Sequence, residues 1–286
     1  MDPLSLLLRL AGALGLLSLL LVCARHIYRA RRLPSGPIDV LIVGSSVAAG
    51  TGAGCCGGES GGWAALLIET VETTRGLRCF NGAVPGFTAG RTRPRLQALL
   101  AASKPRVVLI GLSLGNERLA ARRDTSSSQV LADEFVVALL AMASEAQAAG
   151  VGTVVFTGVY PHGWYQSHHL GALRSVDVAL RQRGYAVVEM LQHLQAETTS
   201  GTWRPELKAD FAHPNAAGHR VMYEQFLPRL DELFGPALSA GSGSSSGGAA
   251  VSPGTAPATV RRRVAEGDGA ASGGTPRASL LAGAAE

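Results

Sequence analysis

The sequence predicts an α/β protein: a three-layer α/β/α sandwich with a five-stranded parallel, flavodoxin-like sheet. Five apolar, β-branched runs recur between residues 38 and 191, and the stretches between them carry apolar residues at helical spacing. The runs are apolar almost throughout instead of alternating. That pattern belongs to parallel strands covered by helices on both faces.

The elements follow in order. Ile38–Gly44 (IDVLIVG) is the first strand, and Trp63 to about Thr74 the first helix. Cys79–Ala83 is the second strand, and RTRPRLQALLAAS, residues 91–103, leads into a second helix. Arg106–Ser113 is the third strand, followed by an alanine-rich helix from Val130 to Ala149 that Gly150 ends. Thr153–Tyr160 is the fourth strand, His169–Arg183 the fourth helix and Tyr185–Leu191 the fifth strand. A last helix opens at Asn215, an N-cap residue placed after Pro214, and runs to about Phe234.

Both ends stand apart from this pattern, so the domain is expected to span residues 34–236. Residues 237–286 are rich in Gly, Ser, Ala and Pro and carry too little apolar bulk to offset the entropy of ordering them; a disordered tail is expected. Leu4–Ala24 is an apolar run interrupted by Arg9, long enough as a helix for the ~30 Å core of a bilayer. No small-x-small cleavage site follows it, so residues 1–33 are expected to be an uncleaved single-pass anchor with a basic flank, with a cleaved signal peptide as the alternative. The positive-inside rule applied to Arg25, Arg29, Arg31 and Arg32 gives the expectation, left open by the sequence, that the domain lies on the cytoplasmic side.

The net charge of +5 comes from these ends, because residues 34–236 hold 17 basic and 17 acidic side chains. A neutral domain without a basic face argues against nucleic acid as a partner. Of the four cysteines, adjacent Cys55 and Cys56 are poorly placed to pair with each other, and Cys23 and Cys79 form no CxxC with them. Free thiols are expected, with a bridge from the Cys55–Cys56 loop to Cys79 as the alternative. His162, His168 and His169 lack a spaced carboxylate or cysteine to complete a metal site, so no metal is expected. Gly52-Ala53-Gly54-Cys55-Cys56-Gly57 has GxGxxG spacing but starts eight residues after Gly44, and Asn81 stands where a ribose-binding acid belongs. It is read as a flexible loop, and no cofactor is implied.

In parallel sheets, ligands bind beyond the carboxyl ends of the strands. The segments there are Gly44-Ser45-Ser46, Val84-Pro85-Gly86, Gly115-Asn116-Glu117 and Tyr160-Pro161-His162-Gly163-Trp164-Tyr165. The fifth, Asp210-Phe211-Ala212-His213, precedes the last helix. A serine among small residues at a strand end is exposed at a sharp turn. A neutral imidazole, with an ordinary pKa of ~6.5, can take its proton near pH 7. A carboxylate three residues before the histidine can hold the other ring nitrogen and fix the tautomer.

These segments, in this order, resemble the blocks of the SGNH, or GDSL-type, serine esterase and lipase family over most of residues 38–234. The resemblance implies that Ser46 is the nucleophile, His213 the base and Asp210 its orienting acid. It also implies an oxyanion hole formed by Ser46, Gly86 and Asn116. Ser45 and Glu117 depart from the family, which has aspartate at both places; neither supplies nucleophile, base or oxyanion donor. The implied activity is carboxylic ester hydrolysis through an acyl-serine, on a small, lipid or acylated-sugar ester. A membrane-anchored O-acyltransferase using the same acyl-serine, or a catalytically weak binding module, are the alternatives. Tyr160, His162 and Trp164 either line the acyl or alcohol pocket or pack the loop.

Overall fold

The computed structural model describes residues 33–54, 61–197 and 200–236. The expected membrane segment, Cys23, Cys55, Cys56 and the low-complexity tail lie outside the described residues.

Five strands form one sheet: β1 (Val40–Gly44), β2 (Cys79–Asn81), β3 (Val107–Gly111), β4 (Thr153–Phe156) and β5 (Ala186–Val187). Their order is β2-β1-β3-β4-β5, and every pairing is parallel. This is the predicted flavodoxin-like sheet. Side chains alternate across it. Leu41, Val43, Val108, Ile110, Val154 and Phe156 face one core. Val40, Ile42, Val107, Leu109 and Val155 face the other. The near-continuous apolar strands are thus explained by burial on both sides.

The first core is covered by α2 (Ala89–Ser103), α3 (Thr125–Ala148) and α4 (Ser167–Gln182). The second is covered by α1 (Gly62–Arg75), and by the later helices α6 (Ala216–Glu224) and α7 (Leu230–Phe234). Here Trp63 of α1 stacks on Phe226, with ring centroids 5.2 Å apart. Helix α3 is long and apolar enough to cross a membrane, the one such helix among the described residues, but its Leu131, Phe135, Leu139 and Met142 are buried in the first core.

The structure corrects several expected boundaries. Helix α3 starts five residues before Val130, because Asp124 caps it by accepting the Ser127 amide. The fifth strand ends at Val187, and Leu191–Leu194 forms a one-turn helix, α5, in place of strand. The single last helix is instead α6, a 3-10 turn at Leu227–Arg229, and α7. Pro228 sits at the break, where its missing N–H cannot continue an α-helical ladder. The strands are all shorter than the apolar runs, so the segments after them reach further over the sheet edge.

Candidate active site

Strand β1 delivers Ser46. The chain leaves β1 with the Ser45 amide still bonded to Gly111 O, then turns helically, with Ala49 N–H donating to Ser45 O and Thr51 N–H to Ser46 O. Ser46 therefore sits at the first position of a helical turn, directly above the strand. Gly52 ends this segment with φ +94° against the Pro214 carbonyl, where a Cβ would have no room. The loop carrying Ser46 is thereby packed against the loop carrying His213.

That second loop is closed by its own hydrogen bonds. Ala209 N–H donates to His213 O, and Lys208 bridges to Pro214 in antiparallel fashion. Asn215 then caps α6 by accepting from the Gly218 amide, while its Nδ2 donates to Glu206 O. Within the loop, Asp210 Oδ1 accepts the Ala212 and His213 amides at 2.7 and 2.8 Å. The carboxylate also receives His213 Nδ1, at 3.0 Å to Oδ1 and 2.9 Å to Oδ2. His213 Nε2 lies 3.0 Å from Ser46 Oγ. Burial alone would raise the Asp210 carboxyl, but bonds from the His213 ring and the two amides outweigh it and hold it below the ordinary aspartate value. The carboxylate stays ionised, so Nδ1 carries the proton and Nε2 is left as an acceptor toward Ser46.

Ser46, Gly86 and Asn116, each with a hydrogen-bond donor to offer, line one cavity. Residues Val84–Phe87 form a turn, with Phe87 N–H donating to Val84 O, Pro85 at its second position and Gly86 at its third. Gly86 has φ +76°, which a type II turn requires there and which favours glycine. Neither the Ser46 amide nor the Gly86 amide has a protein acceptor among the described residues. Asn116 gives one Nδ2 hydrogen to Phe87 O at 2.9 Å, leaving the other unused. Glu117 adds a second tie between the same two loops: its Oε1 accepts the Ala89 amide at 2.6 Å, at the start of α2. Burial raises the Glu117 carboxyl, partly offset by that bond. Successive side chains of one loop thus hold the turn that carries Gly86.

Ser46, Gly86, Asn116, Tyr160, His162, Trp164, Phe211 and His213 line one cavity of about 1100 Å³. Tyr160 is nearly buried behind Ser46, its hydroxyl 3.5 Å from Ser45 Oγ, and burial pushes its phenol up to about 12. Trp164 is exposed and stacks on Phe211, with ring centroids 4.1 Å apart and planes 8° from parallel. Of the other histidines, His168 and His169 both approach Arg122 O through Nε2, and they do not gather with His162.

Two contributors were not singled out from sequence. Phe211 lies between Asp210 and His213, and its carbonyl accepts Gly163 N–H at 2.6 Å. His219 is buried and bridges two elements: its Nδ1 accepts the Trp63 amide and its Nε2 meets Thr51 O. Burial lowers its pKa to about 4, so it is neutral at pH 7. No spacing rule distinguishes such a residue from any helical histidine.

A parallel α/β sheet whose strand ends bring a serine, a histidine and an aspartate into one hydrogen-bonded row defines a serine hydrolase class of site. The comparisons give the class its family. The GDSL-like Lipase/Acylhydrolase family matches residues 42–221, and the chain belongs to it. Among curated proteins, Esterase TesA of Pseudomonas aeruginosa is 29% identical over 198 residues, covering 68% of this chain and 89% of that protein. The crystal structure of TesA is similar with a TM-score of 0.55 at 28% identity, covering 68% of this chain and 99% of that one. Axe2, an acetylxylan esterase from Geobacillus stearothermophilus, shares the fold with a TM-score of 0.50 at 20% identity, covering 68% of this chain and 95% of that one. The protein is a carboxylic ester hydrolase of the SGNH type.

Proposed function

We propose that Ser46 attacks a carboxylic ester and carries the acyl group, with His213 as general base and then acid and Asp210 orienting it. The observation that carries this reading is the 3.0 Å approach of His213 Nε2 to Ser46 Oγ, with Asp210 on the opposite ring nitrogen. Oγ bonds to the carbonyl carbon as its proton passes to Nε2. The oxyanion takes hydrogen bonds from the Ser46 and Gly86 amides and from Asn116 Nδ2. Collapse breaks the bond to the alcohol oxygen, which leaves with the proton from Nε2. Water then repeats the sequence on the acyl-serine and releases the acid. Each donor aimed at the oxyanion contributes roughly 100- to 1000-fold in comparable sites.

The substrate is a small, lipid or acylated-sugar ester. A cavity of about 1100 Å³ has room for an acceptor beside the acyl group, which supports transfer to a sugar or lipid hydroxyl as the second reading. Incubating the full-length protein with a fluorophosphonate probe and short p-nitrophenyl esters tests the first. Labelling and hydrolysis are expected, and both should vanish in Ser46→Ala; absence of both in the native chain would sink it and leave the binding-module alternative. Hydrolysis that gives way to transfer on adding an acceptor sugar would favour the acyltransferase.

For location we propose a single-pass anchor in residues 1–33 with the domain on the cytoplasmic side, supported by the apolar run Leu4–Ala24 and its arginine flank. Resistance to alkaline extraction, with no glycosylation of acceptor sites inserted in the tail, is the expected result. Efficient lumenal glycosylation would overturn the orientation.

A further inference from the structure

His162 stands out as a polar side chain with only one ring nitrogen partnered in an otherwise aromatic wall. The residue is 8% exposed and lines the same cavity as Ser46. Its ring lies 5.1 Å from Tyr165, 5.4 Å from Trp164 and 5.6 Å from Phe211, centroid to centroid. One ring nitrogen is committed: Nδ1 accepts the Trp164 amide at 3.3 Å. A neutral imidazole that accepts at one nitrogen carries its hydrogen on the other, so Nε2 is a donor. Nε2 has no protein acceptor among the described residues, and it is not one of their fully enclosed unpaired atoms. Burial and the nearby His213 both hold the ring neutral, against a smaller pull from Asp210. On its other side the ring abuts Gly115, where a Cβ would lie 3.4 Å from His162 Cδ2, one residue before Asn116.

An unpaired donor beside a reacting centre costs free energy in the empty site and is repaid when a ligand oxygen fills it. Resting on the ester hydrolase reading above, we propose that His162 Nε2–H recognises a second acceptor oxygen on the substrate, close to the scissile ester. The substrates are then oxygenated esters: acylated sugars or polyols, or esters whose acyl chain bears a hydroxyl or ether oxygen. The surrounding rings suit the apolar C–H faces of such molecules, and the exposed face of Trp164 extends that platform to solvent.

Two matched pairs of esters test this with the full-length protein. For the alcohol side, kcat/KM is compared for an acetylated methyl glucoside and for cyclohexyl acetate. For the acyl side, p-nitrophenyl methoxyacetate is compared with p-nitrophenyl butyrate, which has the same length and lacks the oxygen. The native enzyme should prefer the oxygenated member of at least one pair about tenfold or more beyond that pair's ratio in uncatalysed hydrolysis, and His162→Phe should erase that excess. His162→Gln, which keeps a donor, should restore part of it. The pair that responds names the side of the ester the donor reads. Hydrolysis of all four esters with no such excess, or an equal loss on both members of each pair in His162→Phe and His162→Gln, would overturn the proposal while leaving the hydrolase reading intact. No hydrolysis of any ester would count instead against the hydrolase reading on which it rests.

Discussion

The loop after β4 should control the catalytic loop through Gly163. A Cβ added there would lie 3.1 Å from the Cα, Cβ and carbonyl oxygen of Phe211. Non-bonded carbon atoms rest about 3.5–4.0 Å apart, so in Gly163→Ala something must yield by roughly half an ångström. The obstacle is backbone, not the tip of a flexible side chain. It belongs to one of the two residues between Asp210 and His213, and the 2.6 Å bond from Gly163 N–H to Phe211 O must stretch with it. Carried to His213, the same displacement opens the 3.0 Å Nε2–Oγ contact to about 3.5 Å, the edge of hydrogen bonding. Since a misplacement of about 1 Å costs on the order of 100-fold, half of it predicts a fall in kcat of about tenfold. KM should change little, because the cavity wall keeps its side chains. Overpacking of this kind costs about 1 kcal/mol, or a Tm lower by about 2–4 °C in a domain of this size. Steady-state kinetics on a p-nitrophenyl ester and a thermal melt read both quantities. A folded Gly163→Ala with kcat within twofold of the native enzyme would refute the coupling between the loops.

Other outcomes follow from the same geometry. Asp210→Asn should keep the loop's amide contacts yet offer Nδ2 to His213 Nδ1, favouring the tautomer with hydrogen on Nε2; kcat should fall at least 100-fold, and a loss under tenfold would remove Asp210 from that role. Glu117→Ala frees the Ala89 amide and loosens the turn that carries Gly86, so kcat should drop several-fold with Tm lower by about 2–4 °C; unchanged kcat would show that Glu117 only caps α2. His219 binds its proton at about 4 in the fold against an ordinary 6.5, so the unfolded chain protonates first. Its contribution is complete above pH 6.5 and is lost as the pH falls toward 4, by about 3 kcal/mol. Asp177, which accepts the Val159 amide, acts in the opposite sense, because burial raises its carboxyl from 3.8 to about 7 and its contribution is lost as pH rises through that value. Asp177→Asn should therefore steepen the loss of stability between pH 7 and 5, read from urea midpoints; an unaltered slope would contradict the burial assigned to the carboxyl.

Much of the site could be placed along the chain because each part sits just past an apolar run. Ser46, Gly86 and Asn116 follow three different strands, and a parallel sheet carries the ends of those strands to one edge whatever their separation in sequence. Asp210 and His213 were legible through their mutual spacing. Boundaries were less legible, since apolar residues continue past the last ladder bond. Val188 and Met190 are buried without being strand, and the run through Pro228 keeps a helical pattern across a break in the backbone.

The parallel sheet and the residue types at its carboxyl edge can be read from the chain alone, because both follow from local periodicity and turn chemistry. How those residues touch depends on the folded arrangement of the loops. The 3.0 Å approach of His213 to Ser46 spans 167 residues of chain and depends on Gly52 fitting against Pro214. The stacking of Trp164 on Phe211 and the tie from Glu117 to Ala89 are likewise contacts made by loops, and the packing of His162 among Trp164, Tyr165 and Phe211 is of the same kind. Loop contacts carry no period, so they take shape only when the sheet sets the distance between strand ends.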